Sequence, residues 1–114
     1  MIKRYIQTKI NHRVVEAAGI LHFGGLIADD LSLGMKGQTA QICQKIDKLL
    51  EEVGSSKEQL ITAMIYITDF SQKDGMNEAW LEWLPAEHLP TRATIGVAEL
   101  GKDVLIEVVV SAAR

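Results

Sequence analysis

Two helical segments set among hairpin-type strands make this 114-residue chain an α+β domain, a mixed β-sheet with two helices on one face. Three observations predict it. Residues 37–53 carry an apolar stripe of helical period. Residues 60–68 form a β-branched run. The element order is strands, helix, strand, helix, two strands, with no repeat or linker between them. Surface scaling buries roughly two thirds of the unfolded surface of such a chain, so one core and a single domain, 1–114, are expected.

The first strand is expected over residues 1–8. Val14 to Ala17 and Ile20 to Gly24 flank a turn near Gly19 and read as a hairpin. In the first helix Ile42, Cys43, Ile46, Leu49, Leu50 and Val53 recur at steps of three and four. Lys45, Asp47, Lys48, Glu51 and Glu52 form its wet side, and Gly54 supplies the stop. Ser56 and Gln59 have capping-box spacing before the next strand, Leu60 to Thr68. There Ile61, Ala63, Ile65 and Ile67 make one apolar face; the other face is hardly polar. A second helix, about Ser71 to Leu84, buries Met76, Ala79, Trp80 and Trp83 and ends at Pro85. Two strands close the chain, Arg92 to Ala98 and Val104 to Ala112.

An antiparallel sheet covered by helices on one side should be polar on the other. Here the strands at 60–68 and 104–110 are apolar on both faces, and no element is left over to cover the second. Other copies of the chain are expected to do so, in a homo-oligomer.

Composition excludes several functions. A hydrophobic fraction of 47% and a charged fraction of 24% rule out disorder. Twelve Lys and Arg against fifteen Asp and Glu give a net charge of −3, with no basic run, so nucleic acid is not expected as a partner. One cysteine, Cys43, leaves no intrachain disulfide. The first residues carry spread charges with no apolar tract behind them, unlike a secretory signal. The most apolar stretch, Val104 to Val110, is short and broken by Glu107, so no membrane span is expected. A cytoplasmic protein is expected.

Arg92 and Glu107 stand out as charges within apolar strands, where each needs a partner or a ligand. If the two last strands pair through the loop around Leu100, Arg92 lies roughly opposite Glu107 or Val108, and a register summing to 199 sets it directly across from Glu107 on one face. Two readings follow. One is a structural ion pair that pins register or an interface. The other is a small-acid site, in which a guanidinium fork grips a carboxylate and a neighbouring carboxylate activates water. Other candidates are weaker. His12, His22 and His88 lack metal-ligand spacing, so no metal is expected. Cys43, on the buried stripe, reads as an inert core thiol. Gly34-Met35-Lys36-Gly37 lacks a phosphate-loop ending. Gly24-Gly25 marks either a close backbone approach or a strand-end bulge. Trp80 and Trp83 read as core.

The stretch Leu89-Pro90-Thr91-Arg92-Ala93-Thr94-Ile95-Gly96-Val97 resembles the Pro-x-Arg-x-x-x-x-Val segment of the RidA/YjgF family, which includes the reactive intermediate imine deaminases. Leu100-Gly101-Lys102-Asp103-Val104-Leu105-Ile106-Glu107-Val108 is similar to its closing Lys-Asp-Val-x-Ile-Glu strand. Residues 37–50 and Met76-Asn77-Glu78-Ala79-Trp80 resemble its two helices. The resemblance implies a chorismate-mutase-like fold and a homotrimer with sites between subunits. It implies that Arg92 holds the substrate carboxylate, that Glu107 positions water and passes protons, and that Asn77 lines the cleft. The chemistry implied is hydrolysis of small 2-imino or enamine acids to 2-oxo acids and ammonia, with no cofactor. In place of the family's Gly-Pro-Tyr segment, Ser-Gly-Gln and Cys stand Ile10-Asn11-His12-Arg13, Gly24-Gly25-Leu26 and Thr94, and Arg13, Gly25 and Thr94 join the expected substrate-binding set. This marks a divergent branch. The alternative is a non-catalytic trimer that binds a small carboxylate, with a regulatory or stabilising role. A ribonuclease or translation-inhibitor role, an older label of the family, is disfavoured by the negative charge.

Overall fold

A computed structural model describes residues 1–114. Eight main elements follow one another: β1 (Ile2–Gln7), β2 (His12–Ala17), β3 (Ile20–Phe23), α1 (Met35–Glu52), β4 (Leu60–Ile67), α2 (Lys73–Trp83), β5 (Thr91–Gly96) and β6 (Ile106–Ala113). The strands form one six-stranded sheet in the order β1-β2-β3-β6-β4-β5. Every pairing is antiparallel except β4 with β5, which α2 joins by a crossover. The expected mixed sheet with two helices is therefore what the chain forms.

One core holds it together. Ile42, Cys43, Ile46, Leu49 and Leu50 of α1 meet Ala63, Ile65 and Ile67 of β4 and Ile106, Val108, Val110 and Ala112 of β6. Met76 and Trp80 bring α2 into the same cluster. α1 ends as the sequence predicts. Gly54 takes φ +81, its N–H donates to Glu51 O, and the Ser55 N–H donates to Leu50 O, which satisfies the last carbonyls. Ser56 precedes a short 3₁₀ turn over Lys57–Gln59 but makes no side-chain cap bond. A register shift between Leu60 and Thr62 turns Ile61 out of the expected apolar face, leaving it 38% exposed.

The expected pairing of β5 with β6 does not occur. β4 lies between them, with Arg92 beside Ala63 and Glu107 beside Tyr66. The reason is burial. β6 is buried at every second residue and half-buried at the others, which suits the sheet interior. β5 is exposed at every residue but Thr94 and takes the edge. The intervening loop is fixed by Gln38, which is fully buried. Its Nε2 donates to Leu33 O and Asp103 O at 3.0 Å, and its Oε1 accepts from the Leu105 N–H at 3.0 Å.

The face away from the helices carries Val15, Ala17, Ile20, Met64, Tyr66, Val109 and Ala113, half-buried, with Ile95 exposed. No element of the chain covers these side chains. No helix is long and apolar enough to cross a membrane.

The β2–β3 hairpin closes between Ala17 and Ile20 on a two-residue turn in which Ala18 (φ 52) and Gly19 (φ 78) are both left-handed. That is the type I′ geometry which favours Asn-Gly. Ala18→Asn is expected to stabilise the protein by about 1 kcal/mol and Ala18→Val to destabilise it. Urea unfolding at a fixed protein concentration measures both.

Candidate functional site

Residues paired across β4 and β5 share a face, so Arg92, beside Ala63, and Thr94, beside Ile65, both look toward α2. α2 answers with Asn77 and, one turn on, Trp80. The Arg92 guanidinium stands 5.9 Å from the centroid of the Trp80 ring, and Trp80 is itself only 2% exposed. Asn77, Trp80, Leu81, Leu89, Pro90 and Arg92 line a cleft of about 340 Å³. Arg92 makes no ion pair; the four in the chain lie elsewhere. It stays open to solvent, and partial burial alone lowers its pKa from the ordinary value, which leaves it a cation at neutral pH. Two buried side-chain oxygens in the chain lack any hydrogen-bond partner. They are Asn77 Oδ1 and Thr94 Oγ1. The Arg92 guanidinium and the Thr94 hydroxyl can donate to a small carboxylate, whereas Asn77 Oδ1 can only accept and would need a ligand N–H or O–H.

Glu107 sits on the other face of the sheet, beside Tyr66. Leu26 bridges to Val108 by two backbone hydrogen bonds of 2.9 and 3.0 Å, which lays Gly25 against Glu107. A Cβ at Gly25 would collide with the Glu107 carboxylate. Close approach is thus the meaning of this glycine. Thr8, Asn11, Arg13, Gly24, Gly25 and Leu26 line an adjoining cavity of about 230 Å³. Glu107 forms no ion pair within the chain, and neither does Arg13. A carboxylate free of internal partners beside a polar cavity can hold and polarise a water.

Residues 2–114 match the family model described as endoribonuclease L-PSP. A RutC family protein of Haemophilus ducreyi is 31% identical over 113 residues, 99% of this chain and 97% of its own length. The chain belongs to the YjgF/RutC family. Solved structures agree with this. An uncharacterised protein from Pseudomonas aeruginosa superposes with a TM-score of 0.94 at 32% identity, covering 100% of this chain and 99% of its own. A YjgF family member from Neisseria meningitidis gives 0.92 at 27% identity, covering 100% and 95%.

Within this YjgF/RutC chain the six expected site residues fall into two groups. Arg92, Asn77 and Thr94 share the helix-side edge; Glu107 and Gly25 meet on the far side, and Arg13 lines both the cavity beside Gly25 and a hollow against α1. The expected Arg92–Glu107 juxtaposition is absent, and with it the structural ion pair inside one chain. The β6 residue level with Arg92 is Val110, so Glu107 lies about 10 Å along the sheet, about 10 Å across it, and on the opposite face. Two contributors escaped the sequence reading. Trp80 is core, as expected, and also the platform under Arg92; its signal was the three-residue spacing from Asn77. Asn11 was seen only as part of an altered motif. Cys43 is buried, and burial with nearby Asp47 pushes its thiol up to about 12, too high for a nucleophile. No three His, Cys, Asp or Glu side chains converge.

The contact between Gly25 and Glu107 makes a sharp prediction. Gly25→Ala is expected to push the Glu107 carboxylate, the movable end of its side chain, out of place at a cost of about 1 kcal/mol. Glu107→Ala in the same chain should recover most of that loss, because the colliding atoms are gone. A double-mutant cycle by urea unfolding checks it.

Proposed function

We propose that this protein hydrolyses small 2-imino acids, or their enamine tautomers, to 2-oxo acids and ammonia at sites shared between copies of the chain in a homotrimer. The observation that carries this reading is a pair of half-sites, each lacking internal partners, on opposite faces of one sheet. Arg92, with the unpartnered Thr94 hydroxyl as a further donor, fits the substrate carboxylate. Glu107, on the open face, fits the attacking water. Their separation within one chain means that a small acid touching both must lie between two chains. The uncovered apolar face supports the same assembly.

The chemistry needs no cofactor. The protonated imine carbon is already electrophilic. Glu107 takes a proton from water as oxygen bonds to that carbon, then returns it to the nitrogen. The C–N bond of the tetrahedral adduct breaks, so iminium acid and water become 2-oxo acid and ammonium. Orientation between the two half-sites supplies the rest. An endoribonuclease reading, after the family model's description, fits poorly. The chain has a net charge of −3 and no basic aromatic platform for a strand.

Imines generated in situ by an amino-acid oxidase test the reading through 2-oxo acid release. Wild-type protein should accelerate release. Arg92→Ala and Glu107→Gln should each lower it by about 100-fold while leaving the assembly's mass unchanged. Co-assembling the two inactive variants should restore about a quarter of wild-type activity, since that share of interfaces regains one intact Arg92 and one intact Glu107. Mixed assemblies that stay inactive would sink the shared site. Thermal stabilisation by 2-oxo acids with no turnover would mark a carboxylate-binding module instead.

A further inference from the structure

We propose that the acid bound at this site carries a second carboxylate, so that the substrates are 2-imino dicarboxylates rather than imines with alkyl side chains. The inference rests on the shared-site reading above and is carried by Arg13. This residue is the one charged group lining the cavity beside Gly25. The other polar groups there, Thr8 and Asn11, are already engaged with each other, the Thr8 hydroxyl donating to Asn11 Oδ1 at 2.7 Å. Arg13 has no carboxylate partner of its own.

The surroundings do not neutralise it. Arg13 also borders a second hollow, where the cations Arg13, Lys45 and Lys48 face the carboxylates Asp29 and Glu52. Asp29 is taken by Lys45 Nζ at 3.0 Å. Neither Glu52 nor Glu107 forms an ion pair with Arg13. Closing a second chain over this region removes water from Arg13. An alkyl side chain there would leave the guanidinium desolvated and unpaired, whereas a carboxylate gives it a bidentate partner. Arg92 then takes the carboxylate next to the imine, Glu107 serves the carbon under attack, and Arg13 takes the distal acid.

Two amino acids matched in chain length provide the probes. Glutamate and norvaline, each oxidised in situ, give imines that differ by one carboxylate. The glutamate-derived imine should be hydrolysed with a kcat/KM at least about tenfold higher. Arg13→Gln should abolish that ratio, and Arg13→Lys, which keeps the charge, should retain part of it; melting curves confirm that each variant folds. Equal or reversed preference in the wild type, or an unchanged ratio in Arg13→Gln, overturns the inference and leaves imine hydrolysis standing. A binding arm covers the case in which neither imine is hydrolysed. Greater thermal stabilisation by 2-oxoglutarate than by 2-oxopentanoate, lost in Arg13→Gln, upholds the second-carboxylate site although hydrolysis falls. Equal or absent stabilisation overturns it.

Discussion

β6 carries a fully buried row of Ile106, Val108, Val110 and Ala112, and its other face sets Val109 and Ala113 beside Glu107 and Ser111, all half-buried. A strand of this kind loses most when left at an edge, because both of its faces and both of its hydrogen-bonding margins want cover. Its place between β3 and β4 is the constraint from which the rest follows. With β6 on one side of β4, the crossover through α2 can deliver β5 only to the other side, in parallel. That choice turns Arg92 toward Trp80 and leaves Glu107 on the face away from the helices. The site is divided because the sheet has to be ordered this way.

The chain also shows what a structural buried polar residue looks like. Gln38 is 0% exposed, and both its amide oxygen and nitrogen are bonded to backbone. Thr39, 1% exposed, donates its hydroxyl to Met35 O at 2.8 Å. Against that standard, Asn77 Oδ1 and Thr94 Oγ1 are exceptions, and an unmade buried hydrogen bond costs about 1–3 kcal/mol. Both lie on the side of β5 that holds Arg92. An unpaired acceptor and an unpaired hydroxyl, on the side of β5 that carries a cation without an ion pair, are groups that a polar ligand with both donors and acceptors would satisfy.

Local pattern carried much of this. The α1 stripe, the Gly54 stop and the doubly apolar strands were legible because each is a property of consecutive residues. Arg92 and Glu107 were legible as charges in apolar company. Their relation was not, because a loop such as residues 97–105 serves a hairpin and a longer return equally well. The discriminating clue was present but weak: Thr91, Arg92 and Thr94 give β5 a polar cast that β6 lacks. Gly25 was legible as a glycine and ambiguous as a function, since the group it makes room for lies 82 positions away, at Glu107. Trp80 was placed correctly in the core, yet one face of a buried ring can still serve a guanidinium, which burial patterns do not reveal.

Covering the open face and completing the site are one physical problem. That face holds apolar side chains with the Glu107 carboxylate among them. A purely apolar cover would bury an unpaired charge, at a cost of several kcal/mol. The covering surface therefore has to bring a cation or leave a wet cavity at Glu107. Three of the twelve Lys and Arg side chains are held in ion pairs within the chain. Lys36 is held by Glu78 and Glu82, Lys45 by Asp29, and Arg114 by Glu16 and the Tyr5 hydroxyl. Arg92 is uncommitted and stands on an exposed edge strand, with the exposed Leu81 and Leu89 in its cleft to contribute apolar cover. Charge complementarity thus favours the β5 edge of one copy as the cover for the Glu107 face of the next, the arrangement that the proposed shared site requires.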